Sequence, residues 1–326
     1  MVRSAGPPTA ISQLAPRGAR ARVGGPALSK SPVVGGGGIT PSLVTLWFQR
    51  AAWRCPSTRG FEMTTKTAPV LSATQLSEVI GLIKGADTVE LKLTVPDSDR
   101  ASAVAALGMD SLDAEIRQIM FFDTPDLKLN QQGVVVRARR IQRKPGDSVV
   151  KLRPVVPDDL SPKLRKSPNF GVEVDAMPGG FVCSASMKFK ELDPIKVKEG
   201  FTGERRISKL FSKEQRDFYT AHAPDGLELD DLSMLGPITI MKLKFTPGDF
   251  GRKMVAELWF YPNGSRILEL STKCAPAEAF TVSAEAKAFL TGHGVDLAGQ
   301  QQTKTKSALD FFVRQLKDAP QGSPRK

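Results

Sequence analysis

Charged residues stand at every second position in short segments along most of this chain, and apolar residues separate them. Glu90 and Lys92, for example, alternate with Val89 and Leu91. Because successive side chains of a β-strand point to opposite faces, each such segment predicts a strand with one charged and one apolar face. The pattern therefore predicts a strand-rich fold whose charged faces either meet water or line a closed interior.

The predicted charged faces carry both signs at nearly every strand. Their basic members are Lys92, Arg137, Arg139, Lys151, Arg153, Lys242, Lys244 and Lys273, and their acidic members are Glu90, Glu173, Asp175, Glu257 and Glu269. If the strands close into a barrel, burying these charges costs free energy unless they are paired or bound to ions. A polyphosphate with a divalent cation would satisfy both signs, since Arg and Lys bind phosphate oxygens and carboxylates bind hard metal ions.

The hydrophobic periodicity predicts an antiparallel, strand-dominated domain with peripheral helices. The predicted strands are 87–95, 115–122, 133–142, 148–153, 171–177, 182–189, 205–210, 239–246, 253–261 and 265–273, and the predicted helices are 74–84, 97–107, 212–222, 283–290 and 304–317. Ser212 and Gln215 have capping-box spacing. Pro145-Gly146-Asp147 predicts the turn between two of the strands.

The positive charge of the chain is concentrated at its N-terminus. Residues 1–62 hold eight Arg and Lys residues and one acid, and this segment is rich in Gly and Pro. Such a composition predicts a disordered extension over 1–65, before a globular domain at 66–318 and a polar tail at 319–326. A transit segment and a gene start at Met63 remain open alternatives for the extension.

Cysteine and histidine usage limits the chemistry. Three isolated cysteines without CxxC spacing favour a reducing compartment, and we expect a cytoplasmic protein without a disulfide framework or structural zinc. His222 and His293 lie in loop or helix-end contexts, which makes histidine catalysis an unfavoured hypothesis. The longest apolar run, 43–48, is far shorter than the ~20 residues of a membrane helix, so we expect no membrane association.

A set of ordered motifs resembles the CYTH domains, also called triphosphate tunnel metalloenzymes. TVELKL at 88–93 resembles their ExExK signature, and FFDTPDLKLNQQGVVVRARR at 121–140 resembles their second and third strands. SVVKLRP, GVEVDAM, IMKLKF and ILELSTK follow in the family's order. The resemblance implies an α+β fold, an eight-stranded antiparallel β-barrel or tunnel with peripheral helices, that binds a triphosphate-containing small molecule with Mg²⁺ or Mn²⁺.

The resemblance also implies roles for individual residues. Carried over by position, the substrate-binding residues are Lys92, Arg137, Arg139, Lys151, Arg153, Lys242, Lys244 and Lys306, the metal ligands are Glu90, Glu173, Glu257 and Glu269, and the catalytic residues are Lys92, Glu173 and Glu269. Two departures from the motif, Thr88 in place of the first Glu and Ser271 in place of a late acid, thin the carboxylate set. They put a second, water-activating metal ion in doubt.

Three functions remain open from the sequence. Hydrolysis of inorganic tripolyphosphate or of a nucleoside or thiamine triphosphate ranks first, and adenylate cyclisation follows, since no sequence signal indicates a nucleobase pocket. A non-catalytic polyphosphate- or nucleotide-binding module is the third, motivated by Thr88. A specific nucleic-acid partner is not expected, because aliphatic residues rather than stacking aromatics separate the charges. The sequence leaves monomer and dimer open.

Overall fold

A closed β-barrel forms the centre of the fold in the computed structural model, which describes residues 72–178, 180–297 and 304–318. Its nine strands in this part of the chain are β1 (Thr88–Val95), β2 (Glu115–Asp123), β3 (Val134–Ile141), β4 (Lys144–Leu152), β5 (Phe170–Met177), β6 (Gly180–Leu192), β7 (Ser233–Phe245), β8 (Met254–Phe260) and β9 (Arg266–Cys274). Around the barrel they follow the order β1-β5-β6-β4-β3-β2-β7-β8-β9, and β9 pairs with β1.

The predicted eight antiparallel strands are corrected to nine strands in a mixed barrel. β1 and β5 run parallel, with Thr88 opposite Glu173 and Glu90 opposite Asp175, whereas the other described neighbours are antiparallel. Charge alternation with a period of two fixes which face a side chain takes and carries no information on strand direction. The alternation therefore gives the same signal for a parallel and an antiparallel neighbour.

Eight α-helices accompany the barrel in the described ranges. They are α1 (Ala73–Gly85), α2 (Arg100–Ala106), α3 (Lys128–Gln131), α4 (Pro162–Arg165), α5 (Pro194–Thr202), α6 (Lys213–Thr220), α7 (Ala279–Gly292) and α8 (Lys304–Asp318). The predicted capping box of α6 is confirmed, because the Ser212 hydroxyl accepts from the Gln215 backbone N–H and the Gln215 side chain accepts from the Ser212 backbone N–H. None of the described helices is long and apolar enough to cross a membrane.

The hydrophobic core lies between the outer wall of the barrel and the helices. On β1, the apolar residues are buried at every second position, and Val89 packs in one cluster with Val79 of α1 and Val282 of α7. The same alternation turns Glu90 and Lys92 toward the interior of the barrel. Burial of the apolar face thus fixes which face of each strand points inward.

Two local predictions are wrong. Residues 205–210 form no strand, and Ile207–Leu210 is a 3₁₀ helix whose two terminal side chains are buried. The hairpin between β3 and β4 turns at Gln142 and Arg143, and Gly146 lies within β4. A Cβ atom at Gly146 would lie 2.5 Å from the Arg139 carbonyl oxygen, so close packing rather than a turn requires this glycine. The predicted extension at 1–65 and the tail at 319–326 lie outside the described residues.

Candidate functional site

A cavity of about 670 Å³ occupies the interior of the barrel. All twelve residues that the sequence predicts for the site line it: Glu90, Lys92, Arg137, Arg139, Lys151, Arg153, Glu173, Lys242, Lys244, Glu257, Glu269 and Lys306. The structure therefore brings together side chains from seven of the strands, from Arg153 directly after β4, and from α8. It also adds residues that the sequence analysis did not select as site residues, among them Arg117, Asp147, Asp175, Lys188 and Lys304.

The cavity wall carries an excess of positive charge. Among the described residues, thirteen Lys and Arg side chains and six carboxylates line it, a surplus of seven cations. Charges enclosed by a protein wall interact more strongly than charges in bulk water, so such a surplus favours a highly charged anion. The composition of the wall excludes an apolar ligand.

Three carboxylates meet at one side of the cavity. Oxygen atoms of Glu90, Glu173 and Asp175 all lie within 4.8 Å of one another. The parallel register of β1 and β5 produces this cluster, because it sets Asp175 beside Glu90 and Glu173 beside Thr88. The Thr88 hydroxyl lies 3.5 Å from Oε2 of Glu173, so the residue that departs from the ExExK pattern contacts the cluster as a hydrogen-bond donor.

Two lysines neutralise much of this acidic trio of Glu90, Glu173 and Asp175. Nζ of Lys92 lies 2.6 Å from Asp175 and 3.2 Å from Glu90. Lys273 contacts both Glu173 and Glu90. Burial alone would raise the pKa of Glu90, but the charges of Lys92 and Lys273 outweigh it and hold that pKa far below its ordinary range. The pKa of Asp175 is likewise lowered by Lys92 and its basic neighbours against the effect of burial, so Glu90 and Asp175 are ionised.

The trio fits a hard divalent ion by the chemistry of its donors. All three ligands are carboxylates, and oxygen ligands are those that Mg²⁺ and Mn²⁺ prefer. Oδ2 of Asp175 is buried and has no hydrogen-bond partner in the described part of the chain, so it keeps a lone pair for a ligand. The Lys273 side chain is 52% exposed and can leave for solvent when an ion arrives.

A basic group faces the trio from strands β3, β4 and β6. Arg137, Lys151, Arg153 and Lys188 belong to it, and Arg153 and Lys151 lie 3.4 and 3.9 Å from Asp175. Burial lowers the pKa of Lys151 to about 8, despite the raising effect of Asp175. Burial and the neighbouring charge of Arg139 lower the pKa of Arg137 to about 10. Lys151 and Arg137 therefore lack enough opposite charge among the described residues.

Arg137 shows this deficit most clearly. Its Nε atom is buried and has no hydrogen-bond partner among the described residues. The adjacent Arg139, in contrast, makes two hydrogen bonds to Asp147, of 2.7 and 2.8 Å. A buried guanidinium donor without an acceptor is costly, and a bound phosphate oxygen would satisfy it.

A second acidic pair, Glu257 and Glu269, lies apart from the trio. Nζ of Lys304 lies between the two carboxylates, and Lys242 contacts Glu257 at 2.7 Å. Lys304 and Lys242 hold the pKa of Glu257 well below its ordinary value against the effect of burial, whereas burial raises the pKa of Glu269. The four carboxylates predicted as metal ligands are thus divided between two groups.

Only the comparison with solved structures found proteins similar to this chain. The comparisons with protein-family models and with curated proteins found no match. Among solved structures, a candidate adenylyl cyclase from Hippeastrum, HpAC1, described with a dominant triphosphatase activity, has a TM-score of 0.52 and 16% identity, and the match covers 68% of this chain and 95% of that chain. A candidate adenylate cyclase from Bacillus halodurans has a TM-score of 0.47 and 13% identity, with 68% and 98% of the two chains covered.

At these identities the likeness concerns the fold alone. It shows that the chain shares the fold of the Hippeastrum protein over nearly the whole length of that protein. The chemistry of the site must be argued from the residues of this chain.

Proposed function

We propose that the protein binds a triphosphate-containing small molecule in the barrel cavity, together with Mg²⁺ or Mn²⁺, and hydrolyses it. The observation that carries the proposal is the position of the unsatisfied Arg137 and its basic neighbours opposite the acidic trio. A polyphosphate would supply negative charge to the basic residues, and a divalent ion would supply positive charge to the carboxylates.

The proposed roles follow the two charged groups. Arg137, Lys151 and Arg153 bind phosphate oxygens near the trio. Further basic residues bind the rest of the chain of phosphates, namely Lys92, Arg139, Lys242, Lys244 and Lys306. Glu90, Glu173 and Asp175 would hold the metal ion, which would supply Lewis-acid stabilisation of charge on the phosphoryl oxygens when bound.

Three residues of the cavity wall have catalytic roles in this proposal. Glu173, a member of the trio, orients a water molecule. The ammonium of Lys92 stabilises the negative charge that develops on the phosphate. Glu269 is the acid whose pKa burial raises, so it accepts a proton more readily than Glu257 does. These are the three residues that we propose for catalysis.

Hydrolysis is favoured over cyclisation by the lining of the cavity. Trp259 is the single aromatic residue among the described lining residues. The Lys304 ammonium lies over its ring, 4.9 Å from the centroid. A cyclase has to hold a purine as well as a triphosphate, and this wall offers one partly covered ring for stacking.

Release of phosphate from tripolyphosphate, ATP and thiamine triphosphate, each with Mg²⁺ and with Mn²⁺, tests the proposal. We expect metal-dependent release from at least one substrate and its loss in Glu90→Gln. Tight binding of all three substrates without release would make the protein a binding module, and formation of cyclic AMP would make it a cyclase. The full chain should be used, although we place the activity in residues 66–318.

A further inference from the structure

Glu257 of β8 and Glu269 of β9 stand side by side in the cavity wall as cross-strand partners. Nζ of Lys304 lies 2.5 Å from Oε2 of Glu257 and 2.8 Å from Oε1 of Glu269. Two neighbouring carboxylates that face a cavity are oxygen donors of the kind that bind a divalent ion. Here an ammonium group of the protein itself occupies the space between them.

The position of Lys304 is fixed by its own helix. The Tyr261 hydroxyl donates to the Lys304 carbonyl oxygen at 3.1 Å, and the ammonium packs over the ring of Trp259. Further along α8, Leu309 and Phe312 are buried in one cluster with residues of the barrel. The Lys304 side chain is 11% exposed, so its ammonium has little contact with bulk water where it lies.

Lys273, one of the lysines that contact the acidic trio, has the opposite properties. It lies on β9, its side chain is 52% exposed, and a change of rotamer suffices to release it into water. A metal ion can therefore replace Lys273 at Glu90 and Glu173, where three carboxylates then face the remaining ammonium of Lys92. Replacing Lys304 would break the contacts of a largely buried ammonium with both carboxylates and with the ring of Trp259.

The charges around the second pair are also balanced without a metal ion. Glu257 and Glu269 contribute two negative charges, and Lys304 and Lys242 contribute two positive ones at 2.5–2.8 Å. A divalent ion placed between these carboxylates would lie next to two ammonium groups. Like charges at such distances repel strongly in an enclosed site.

We propose that Lys304 is a built-in cation that takes the place of a second divalent ion, so that the cavity holds one divalent ion, at Glu90, Glu173 and Asp175. This inference deepens the proposed function and rests on it, because it sets how many ions accompany the triphosphate. It also replaces the metal-binding role that the sequence predicts for Glu257 and Glu269. They hold the ammonium of Lys304 at a fixed position in the cavity.

Counting bound Mn²⁺ tests this inference without an activity measurement. Electron paramagnetic resonance of free Mn²⁺ in a titration of the full-length protein gives the number of ions bound per chain. We expect one ion in the wild type and two in Lys304→Met, whose side chain keeps its length and loses its charge. The matched control is Arg314→Met, which removes an exposed cation from the same helix, and we expect one ion there.

A second variant tests whether the ammonium of Lys242 alone prevents a metal ion from binding to Glu257 and Glu269. Lys304→Met combined with Lys242→Met removes both contacting cations, and we expect it to bind the second ion more tightly than the single variant. Thermal melting of each variant establishes that it is folded. One ion in both variants would overturn the proposal, and so would a wild type that binds two ions or none.

The failure of the proposed function is distinguishable from this outcome. Phosphate release by the wild type tests hydrolysis, whereas the difference in Mn²⁺ count between Lys304→Met and the wild type tests the built-in cation. If the wild type releases no phosphate but binds one ion, and Lys304→Met binds two, the inference holds and the proposed hydrolysis is refuted. If the wild type releases phosphate and binds two ions, the hydrolysis holds and the inference is refuted.

Discussion

Arg137→Met should raise the stability of the protein and weaken its binding of triphosphate. Burial lowers the pKa of Arg137 from its ordinary value to about 10, and a depression of this size corresponds to about 3 kcal/mol against the charged form. At pH 7, below both values, the whole cost is present in the folded protein. Cavity water screens part of it, so we expect the free energy of unfolding to rise by about 1–2 kcal/mol.

The effect on binding has the opposite sign. Nε of Arg137 is buried without an acceptor in the described residues, and a phosphate oxygen would supply one. Charge-assisted hydrogen bonds of this kind contribute about 1.5–3 kcal/mol, so the affinity for tripolyphosphate should fall by roughly 10-fold to 100-fold. Urea unfolding measures the first change, and isothermal titration calorimetry measures the second.

Arg140→Met provides the matched control. Arg140 is the exposed neighbour of Arg139 on β3, and the alternation of the strand turns it away from the cavity. We expect both quantities to stay close to the wild-type values in this variant. A variant Arg137→Met that is less stable than the wild type and binds tripolyphosphate equally well would refute the reasoning, because Arg137 would then be a structural residue.

Three further changes test other parts of the site and fold. The pKa of Lys151 in the unliganded protein is about 8, so its ammonium loses its charge above that pH. Calorimetry should therefore show tripolyphosphate affinity falling about 10-fold per pH unit above pH 8, and this fall should be absent in Lys151→Arg. Lys273→Met should tighten Mn²⁺ binding about 10-fold in the same resonance titration, since it removes a competing cation. Asp123→Ala should lower the free energy of unfolding in urea by about 2–4 kcal/mol, because the buried carboxylate accepts three backbone N–H bonds.

The inward-facing residues of the strands could be predicted because a period of two fixes their side. Glu90 and Arg137 alternate with apolar residues that must be buried outside the barrel wall, so no other orientation satisfies both faces. This reasoning holds for each strand independently of its neighbours. It therefore identifies which side chains line the interior without identifying which of them touch.

The grouping of the charges depends on information that a local pattern lacks. Asp175 joins Glu90 only through the parallel register of β1 and β5, whose residues are 85 positions apart in the chain. The sequence TKTKS offers two lysines, and the local pattern favours neither. Packing of α8 on the barrel end selects Lys304 for the carboxylate pair and leaves Lys306 more exposed.

The errors in local structure have the same origin. Pro145-Gly146-Asp147 has the composition of a turn, but Gly146 is needed because the Arg139 carbonyl and the Val197 side chain of α5 approach it closely. The actual turn includes Arg143 at a φ of 56°, in the left-handed region. Arginine has no particular preference for this conformation, so its presence in the sequence does not predict a turn. Long-range packing decides both positions.

A structure of the protein with tripolyphosphate and Mn²⁺ would test the central claim most directly. We expect phosphate oxygens within hydrogen-bond distance of Arg137 and Lys151, and a single Mn²⁺ peak in anomalous difference density among Glu90, Glu173 and Asp175. Polyphosphate bound only on the outer surface, with the barrel interior filled by water, would contradict the claim that this interior is a polyphosphate site.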